Sequence, residues 1–196
     1  DTGAGPGHDG TESERREADR RFVTGVTEPA TAPFVPEVRL YLATDPIEVW
    51  EGTEHHHGRT GLDPPFWAFA WAGGQALARH VLDHPDLVRG RTVLDLAAGC
   101  GLVAVAAALA GARVVVANGI DPLATAAIAL NAELNGVTVT PLLGDLLLPG
   151  AGGAGADPAG WDTALTAEVV LAGDVCYDRR MTALDLPFQS RPPPAG

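Results

Sequence analysis

Apolar runs and alanine-rich segments alternate along the chain from residue 92 onwards. Four apolar runs have the length and composition of buried strands. They cover residues 92–97, 113–117, 137–143 and 169–172. Between them, residues 102–110 and a segment that starts at Asp121-Pro122 and stops at Asn135-Gly136 predict helices. Strands that alternate with helices predict a doubly wound parallel α/β sheet with right-handed crossovers, in which ligands bind beyond the carboxyl ends of the strands.

The residues before this region carry weaker patterns. Residues 1–21 combine charges of both signs with hardly any apolar side chain, which predicts a disordered tail. Alternating apolar residues predict a short strand at 38–43, and residues 51–65 are predicted to form a polar loop. The loop contains His55–His57, but adjacent side chains point in different directions and no carboxylate has ligand spacing. We therefore predict no metal site.

Aromatic side chains concentrate at residues 64–71, ahead of a glycine pair, Gly73-Gly74, and a predicted amphipathic helix at 75–82. A hydrophobic core accounts for most of these rings. Rings beside a glycine pair at the start of a helix also suit the wall of a ligand pocket.

Composition and charge narrow the function classes. The 196 residues are 46% hydrophobic, which is enough for one core, and the net charge of −12 disfavours partners such as nucleic acid and anionic lipid. No lysine is present, which removes Schiff-base chemistry and the P-loop lysine. Two cysteines make neither a disulfide framework nor a zinc site. With no signal peptide or membrane span in the sequence, we predict a cytoplasmic protein.

The turn after the first predicted parallel strand carries the clearest chemistry. It reads Asp95-Leu-Ala-Ala-Gly99-Cys-Gly101, and such glycines let backbone N–H groups at a helix start approach a ligand. Both dinucleotides and S-adenosylmethionine bind turns of this kind. Asp95 favours the second, because a carboxylate repels a pyrophosphate and attracts an ammonium or sulfonium group.

These residues resemble motif I of the class I methyltransferases, with Ala97 where glycine is more usual. Three further segments, at 65–79, 117–122 and 171–177, are similar to methyltransferase family 16, in its branch of electron transfer flavoprotein beta-subunit lysine methyltransferases. The resemblance covers about residues 22–185. It implies a Rossmann-like sheet and S-adenosylmethionine-dependent N-methylation of a lysine on a protein substrate.

The resemblance also implies roles for individual residues. The residues it assigns to the cofactor are Trp71, Asp95, Ala97, Gly99, Gly101, Asp121 and Asp145. Asp95 would meet the methionine ammonium, Asp145 would read the adenine edge, and Trp71 would wall the cofactor. Gly99 and Gly101 would let the backbone pass the methionine and the ribose.

Asp174 and Tyr177 match a D-x-x-Y motif that shapes the site where the substrate amine meets the methyl group in this family. The resemblance therefore implies that they are the catalytic pair. Asp174 would orient the amine and help its proton to leave, and Tyr177 would fix the geometry. Read without the resemblance, Asp174 is a cap after a strand and Tyr177 an ordinary half-buried ring.

The sequence departs from the family pattern at Gly119, where the family carries an aspartate that holds the ribose hydroxyls. Asp121 could replace that aspartate, although its place before Pro122 already explains it as a helix N-cap. A lost charged hydrogen-bonding partner costs about 1.5–3 kcal/mol, so we expect weak cofactor binding.

The segments after Tyr177 also depart from the pattern. We expect a methyltransferase domain at 22–185, composed of an N-terminal segment at 22–74 and a cofactor-binding core at 75–185. Residues 186–196 form a Pro-rich tail unlike the family, and Pro-rich runs cannot supply strands. The expected sheet is therefore incomplete in its C-terminal half. An NAD-dependent Rossmann oxidoreductase and an inactive methyltransferase remnant stay open as alternatives.

Overall fold

The computed structural model describes residues 12–147 and 158–175. Its first part holds three helices and a hairpin. In chain order they are α1 (Glu12–Val26), β1 (Glu28–Ala32), β2 (Val35–Leu42), α2 (Pro46–His57) and α3 (Ala72–Asp83). The two strands pair antiparallel. Short 3-10 turns lie at Phe66–Ala68 and Pro85–Leu87.

The second part holds a sheet and the helices that cover it. The elements are β3 (Thr92–Asp95), α4 (Leu102–Leu109), β4 (Val114–Gly119), α5 (Pro122–Leu134), β5 (Thr140–Leu143), α6 (Pro158–Leu165) and β6 (Val169–Leu171). The strand order is β5-β4-β3-β6, and all neighbouring strands run parallel. This confirms the predicted parallel α/β sheet, because the first half of a doubly wound sheet has the same order.

Successive side chains of β3 pack into two hydrophobic cores on opposite faces of the sheet. Val93 packs in a core with residues of α3 and α4, whereas Leu94 packs with Val116 and Ala164 of α6. Burial on both faces explains why these strands read as continuous apolar runs. No helix within residues 12–147 and 158–175 has the length and apolar character needed to cross a membrane.

Two predictions for the N-terminal part are wrong. Residues 12–21, predicted to belong to a disordered tail, lie in α1, whose charged side chains have partners that the sequence does not reveal. Arg20 donates to Glu133 on α5 at 2.6 Å, and the Asp19 carboxylate lies 2.8 Å from His56 Nε2 on α2. The half-buried charges of Asp19 and Arg20 therefore make contacts between helices, whereas the exposed Arg16 and Arg21 pair with glutamates within α1.

Residues 51–57, predicted to be part of a polar loop, belong to α2. The Asp45 side chain accepts hydrogen bonds from the backbone N–H groups of Ile47 and Glu48, so it caps the helix, and Gly58 ends it in a left-handed conformation. The sequence also missed β1, because only Ala32 of its five residues is buried and no alternating pattern marks it.

Candidate functional site

Four strand ends meet at one edge of the parallel sheet. Asp95 and Gly119 are the last residues of β3 and β4, and Asp145 and Asp174 lie just beyond β5 and β6. Register places Asp95 opposite both Ala117 and Leu171. The structure therefore brings Asp95, Asp145 and Asp174 to the edge where doubly wound sheets bind ligands.

The turn between β3 and α4 has a left-handed backbone at three positions. Gly99 and Gly101 have φ of 54° and 77°, and so does Ala97, at 54°. Close packing also favours glycine at position 101, because a Cβ there would lie only 3.0 Å from Ile128 Cγ1. Ala97 is the one described residue other than glycine with positive φ. Such backbone costs an alanine roughly 1–2 kcal/mol, and strain of this kind concentrates at functional sites.

Asn131 of α5 holds this turn in place. Its Nδ2 donates to the Cys100 carbonyl oxygen at 2.8 Å, and its Oδ1 accepts from the Tyr41 N–H of β2 at 2.7 Å. The side chain is fully buried and bridges the glycine turn to the N-terminal hairpin. The sequence did not predict this role, since the only sign of it is an asparagine within an otherwise apolar helix.

Asp95 is the buried carboxylate of the site. Its side chain is 1% exposed, and Oδ2 accepts a hydrogen bond from the Ala104 N–H in the first turn of α4 at 2.9 Å. Burial raises the pKa of Asp95 to about 7, and this single amide lowers it only partly. No residue that the structure describes forms an ion pair with it. A bound cationic group would supply the missing charge partner.

Asp174 lies half-buried on the neighbouring strand end and contacts the start of α3. Its Oδ1 accepts from the Gly73 N–H at 2.9 Å and its Oδ2 from the Gly74 N–H at 2.5 Å. The sequence suggested a pocket wall only for the aromatic rings beside this glycine pair, and it did not predict the hydrogen bonds of the pair to Asp174. Tyr177, the other predicted catalytic residue, lies outside the described residues.

The aromatic segment before α3 runs close to the glycine turn. The Trp71 Nε1 donates to the Phe66 carbonyl oxygen at 2.9 Å, and the two rings pack with centroids 5.8 Å apart. The same carbonyl oxygen lies 3.7 Å from the position of a Cβ on Gly99. Trp71 as a whole is 45% exposed, although its ring also packs against Phe69 with centroids 5.8 Å apart.

The two remaining predicted carboxylates bind their own local backbone. Asp121 Oδ1 accepts from the Leu123 N–H at 2.8 Å, which confirms it as the N-cap of α5, and burial raises its pKa. Asp145 Oδ1 accepts from the Leu147 N–H at 2.9 Å. Each therefore has one oxygen engaged locally, as Asp95 has.

Among the described residues, neither the histidines nor Cys100 adds a reactive group to the site. In the residues for which coordinates are described, no group of three side chains has the arrangement to hold a metal ion. Burial raises the pKa of the Cys100 thiol to about 12, so it stays protonated and unreactive near neutral pH.

Comparison with known proteins relates part of the chain to methyltransferases. Residues 76–148 match the family model of ribosomal protein L11 methyltransferase (PrmA). Among curated proteins the chain is similar to the electron transfer flavoprotein beta subunit lysine methyltransferases of Danio rerio, Homo sapiens and Xenopus laevis. The Danio rerio protein is 41% identical, over 76% of this chain and 52% of the relative. The Homo sapiens protein is 40% identical, over 76% of this chain and 51% of the relative. The Xenopus laevis protein is 38% identical, over 84% of this chain and 61% of the relative.

The chain thus spans about half to three-fifths of the length of the curated relatives that it matches. Among solved structures, it is similar to Trm5b from Pyrococcus abyssi with a TM-score of 0.41 and 22% sequence identity, over 63% of this chain and 30% of that one. That likeness is too distant to carry a functional argument.

Proposed function

We propose that this chain contains the S-adenosylmethionine site of a protein-lysine N-methyltransferase. The observation that carries the proposal is Asp95, a carboxylate that is 1% exposed, has one amide donor and lies beside the glycine turn. A buried carboxylate without a charge partner fits the methionine ammonium group of this cofactor. The similarity to lysine methyltransferases supports the same class of reaction.

The other predicted residues would surround the cofactor. Gly99 and Gly101 would give its methionine and ribose access to the backbone, with Ala97 in the same turn, and Trp71 would cover it with its ring. Asp145 would accept from the adenine amine and Asp121 would bind the ribose, each through the lone pairs that its local amide leaves open.

Bound S-adenosylmethionine supplies a methyl group on a positively charged sulfur. The lysine ammonium of the substrate protein would first lose a proton to solvent. The neutral amine would then form the N–C bond in line as the S–C bond breaks, and S-adenosylhomocysteine would leave as a neutral thioether. The protein contributes mainly by holding the two reactants in alignment, which removes a large entropic cost. Asp174 and Tyr177 are the residues that would position the amine.

We propose that the methyl acceptor is a protein such as the electron transfer flavoprotein beta subunit, after which the similar curated proteins are named. We propose no role for nucleic acid or membrane, because the net charge of −12 disfavours both. The free, buried Cys100 is compatible with a reducing compartment, and we propose the cytoplasm.

The alternative of an NAD-dependent oxidoreductase is disfavoured by the same carboxylate. The pyrophosphate of NAD would lie at the turn that Asp95 adjoins, and the two negative charges would repel each other. The similar proteins are methyltransferases, which agrees with this argument.

Two measurements test the proposal. Titration calorimetry with S-adenosylmethionine and with NADH should show binding of the first and none of the second. Purified electron transfer flavoprotein and a cell lysate should then acquire tritiated methyl groups in the presence of the chain. Binding of NADH alone overturns the cofactor assignment. Cofactor binding without labelling of any protein identifies an inactive remnant and overturns the proposed activity.

A further inference from the structure

The end of β6 and the start of α3 meet through glycines. A Cβ on Gly73 would lie 2.4 Å from the Gly173 carbonyl oxygen and 2.6 Å from Asp174 Oδ1. A Cβ on Gly173 would lie 2.9 Å from Gly74 Cα. None of the three has a left-handed φ. Glycine is therefore needed at these positions for the close approach of the two backbones, and not for an unusual turn.

The Asp174 carboxylate serves as the cap of α3. The N-cap residue of that helix, Trp71, makes no side-chain capping bond, and the first turn contains no acidic residue. Asp174 replaces the missing cap by accepting from the Gly73 and Gly74 N–H groups. A negative charge is stabilised there, because the free N–H groups give the helix start a partial positive charge.

This arrangement links two predicted parts of the site. Trp71, the expected cofactor wall, directly precedes the capped turn, and Asp174 begins the motif on the expected substrate side. Gln75 extends the same unit by donating from Nε2 to the Ala70 carbonyl oxygen at 2.6 Å. A shift of Asp174 would therefore release the start of α3 together with the indole of Trp71.

We infer that Asp174 and Gly73 are positioning residues, which fix the aromatic wall of the cofactor site against the strand end that faces the substrate. This inference rests on the proposed function. The two amides occupy one lone pair on each of its oxygens, so Asp174 holds the start of α3 independently of any contact that its remaining lone pairs make with the substrate amine. It also adds Gly73, Gly74 and Gly173 to the residues on which the site depends.

A pair of matched glycine variants tests the contact. Gly73→Ala introduces a Cβ that displaces Asp174, whereas Gly25→Ala, on exposed α1, meets nothing within 4 Å. We expect Gly73→Ala to raise the dissociation constant for S-adenosylmethionine at least tenfold, the loss typical of a charged hydrogen bond, and Gly25→Ala to leave it unchanged. Equal affinity in both variants would overturn the inference.

Asp174→Asn provides a second test without a steric change. NMR spectra should show upfield shifts of the Gly73 and Gly74 amide protons, faster exchange of both, and a shifted indole N–H resonance of Trp71. The Gly25 amide serves as the internal reference. If the three resonances stay in place and only the turnover number falls, Asp174 acts as a proton acceptor and the positioning role is wrong. These spectra need no bound cofactor, so they decide the contact even where S-adenosylmethionine fails to bind and the proposed function falls.

Discussion

The ends of β3 and β6 are adjacent in the sheet and carry the same chemical group in two different states. Asp95 is buried and accepts one hydrogen bond, from the Ala104 amide of α4. Asp174 is half-buried and accepts two, from the first turn of α3. Asp95 accepts from the helix that follows its own strand, whereas Asp174 accepts from a helix that lies 100 residues earlier in the chain. The two strand ends therefore differ in how many backbone amides their carboxylates already bind.

The largest expected effect comes from Asp95→Asn. Asparagine keeps an oxygen for the Ala104 amide and loses only the charge, so the cap survives. We expect the affinity for S-adenosylmethionine to fall about tenfold to a hundredfold, which corresponds to 1.5–3 kcal/mol for a charged partner. Titration calorimetry measures this loss. Unchanged affinity would show that the charge at the end of β3 is not a ligand group.

Near neutral pH, Asp95→Asn should raise the free energy of unfolding while it lowers the affinity for S-adenosylmethionine. Because burial raises the pKa of Asp95 from 3.8 to about 7, the folded chain holds a proton that the unfolded chain has released in this range. The contribution of protonated Asp95 to the free energy of unfolding is fully present below pH 3.8 and is lost as the pH rises through about 7. Urea unfolding at several pH values should show this decline in the unaltered chain and a flatter profile in Asp95→Asn.

A carboxylate introduced at the end of β4 extends the comparison to a third strand. Gly119→Asp restores the aspartate of the family pattern, and its Cβ would lie 3.3 Å from the Ala124 Cβ, which requires a shift of a few tenths of an ångström. We expect about tenfold tighter binding of S-adenosylmethionine, from a charged hydrogen bond to the ribose.

Gly119→Ala is the matched control, because it adds the same Cβ without the carboxylate. It should bind no more tightly than the unaltered chain. If Gly119→Asp behaves like Gly119→Ala, the missing aspartate does not limit affinity. A sub-micromolar dissociation constant for the unaltered chain would contradict the expected weakness at once.

The pH dependence of binding provides a further test of the difference between the two strand ends. Only ionised Asp95 attracts the ammonium group, and its pKa in the free chain is about 7. The dissociation constant should therefore fall up to about tenfold between pH 6 and pH 8, with release of a proton on binding below pH 7. Calorimetry in two buffers of different ionisation enthalpy counts that proton. Asp95→Asn should bind with no such dependence, and a persistent dependence would assign it to another group.

The smallest expected effect concerns backbone strain, which is present after β3 and absent from the glycine contact at β6. Ala97→Gly should stabilise the chain by about 0.5–1 kcal/mol, because glycine adopts the left-handed φ of 54° without a steric cost. Urea unfolding measures the change. Ala76→Gly, in the regular part of α3, is the control and should destabilise by about 1 kcal/mol. Equal signs for both variants would show that Ala97 is not strained.

The sequence was most informative where burial is uniform. The parallel strands, the glycine turn and the Asp121-Pro122 cap were predicted because their signals lie within a few residues of one another. The same Asp-Pro signal stands at Asp45-Pro46 and marks the start of α2, but the polar residues that follow it favoured a loop. There the local cap was the better guide to structure than the hydrophobic pattern.

The contacts that could not be predicted join residues far apart in the chain. No local pattern links Asp19 to His56, Asn131 to Cys100, or Asp174 to Gly74, since each pair becomes adjacent only when the sheet is assembled. The site residues were identifiable by type and by place on a strand end. Their division into ligand groups and positioning groups depends on hydrogen-bond partners, which appear only in three dimensions.

The distance along the chain between Gly74 and Asp174 also bears on how the protein is made. The cap of α3 is supplied 100 residues after the helix that needs it. During synthesis on the ribosome, α3 therefore emerges and waits without its cap until β6 has been translated. Long-range contacts of this kind slow folding, because a large loop must close before the contact forms. The nascent chain would then form the contact between α3 and Asp174 only after β6 has been translated.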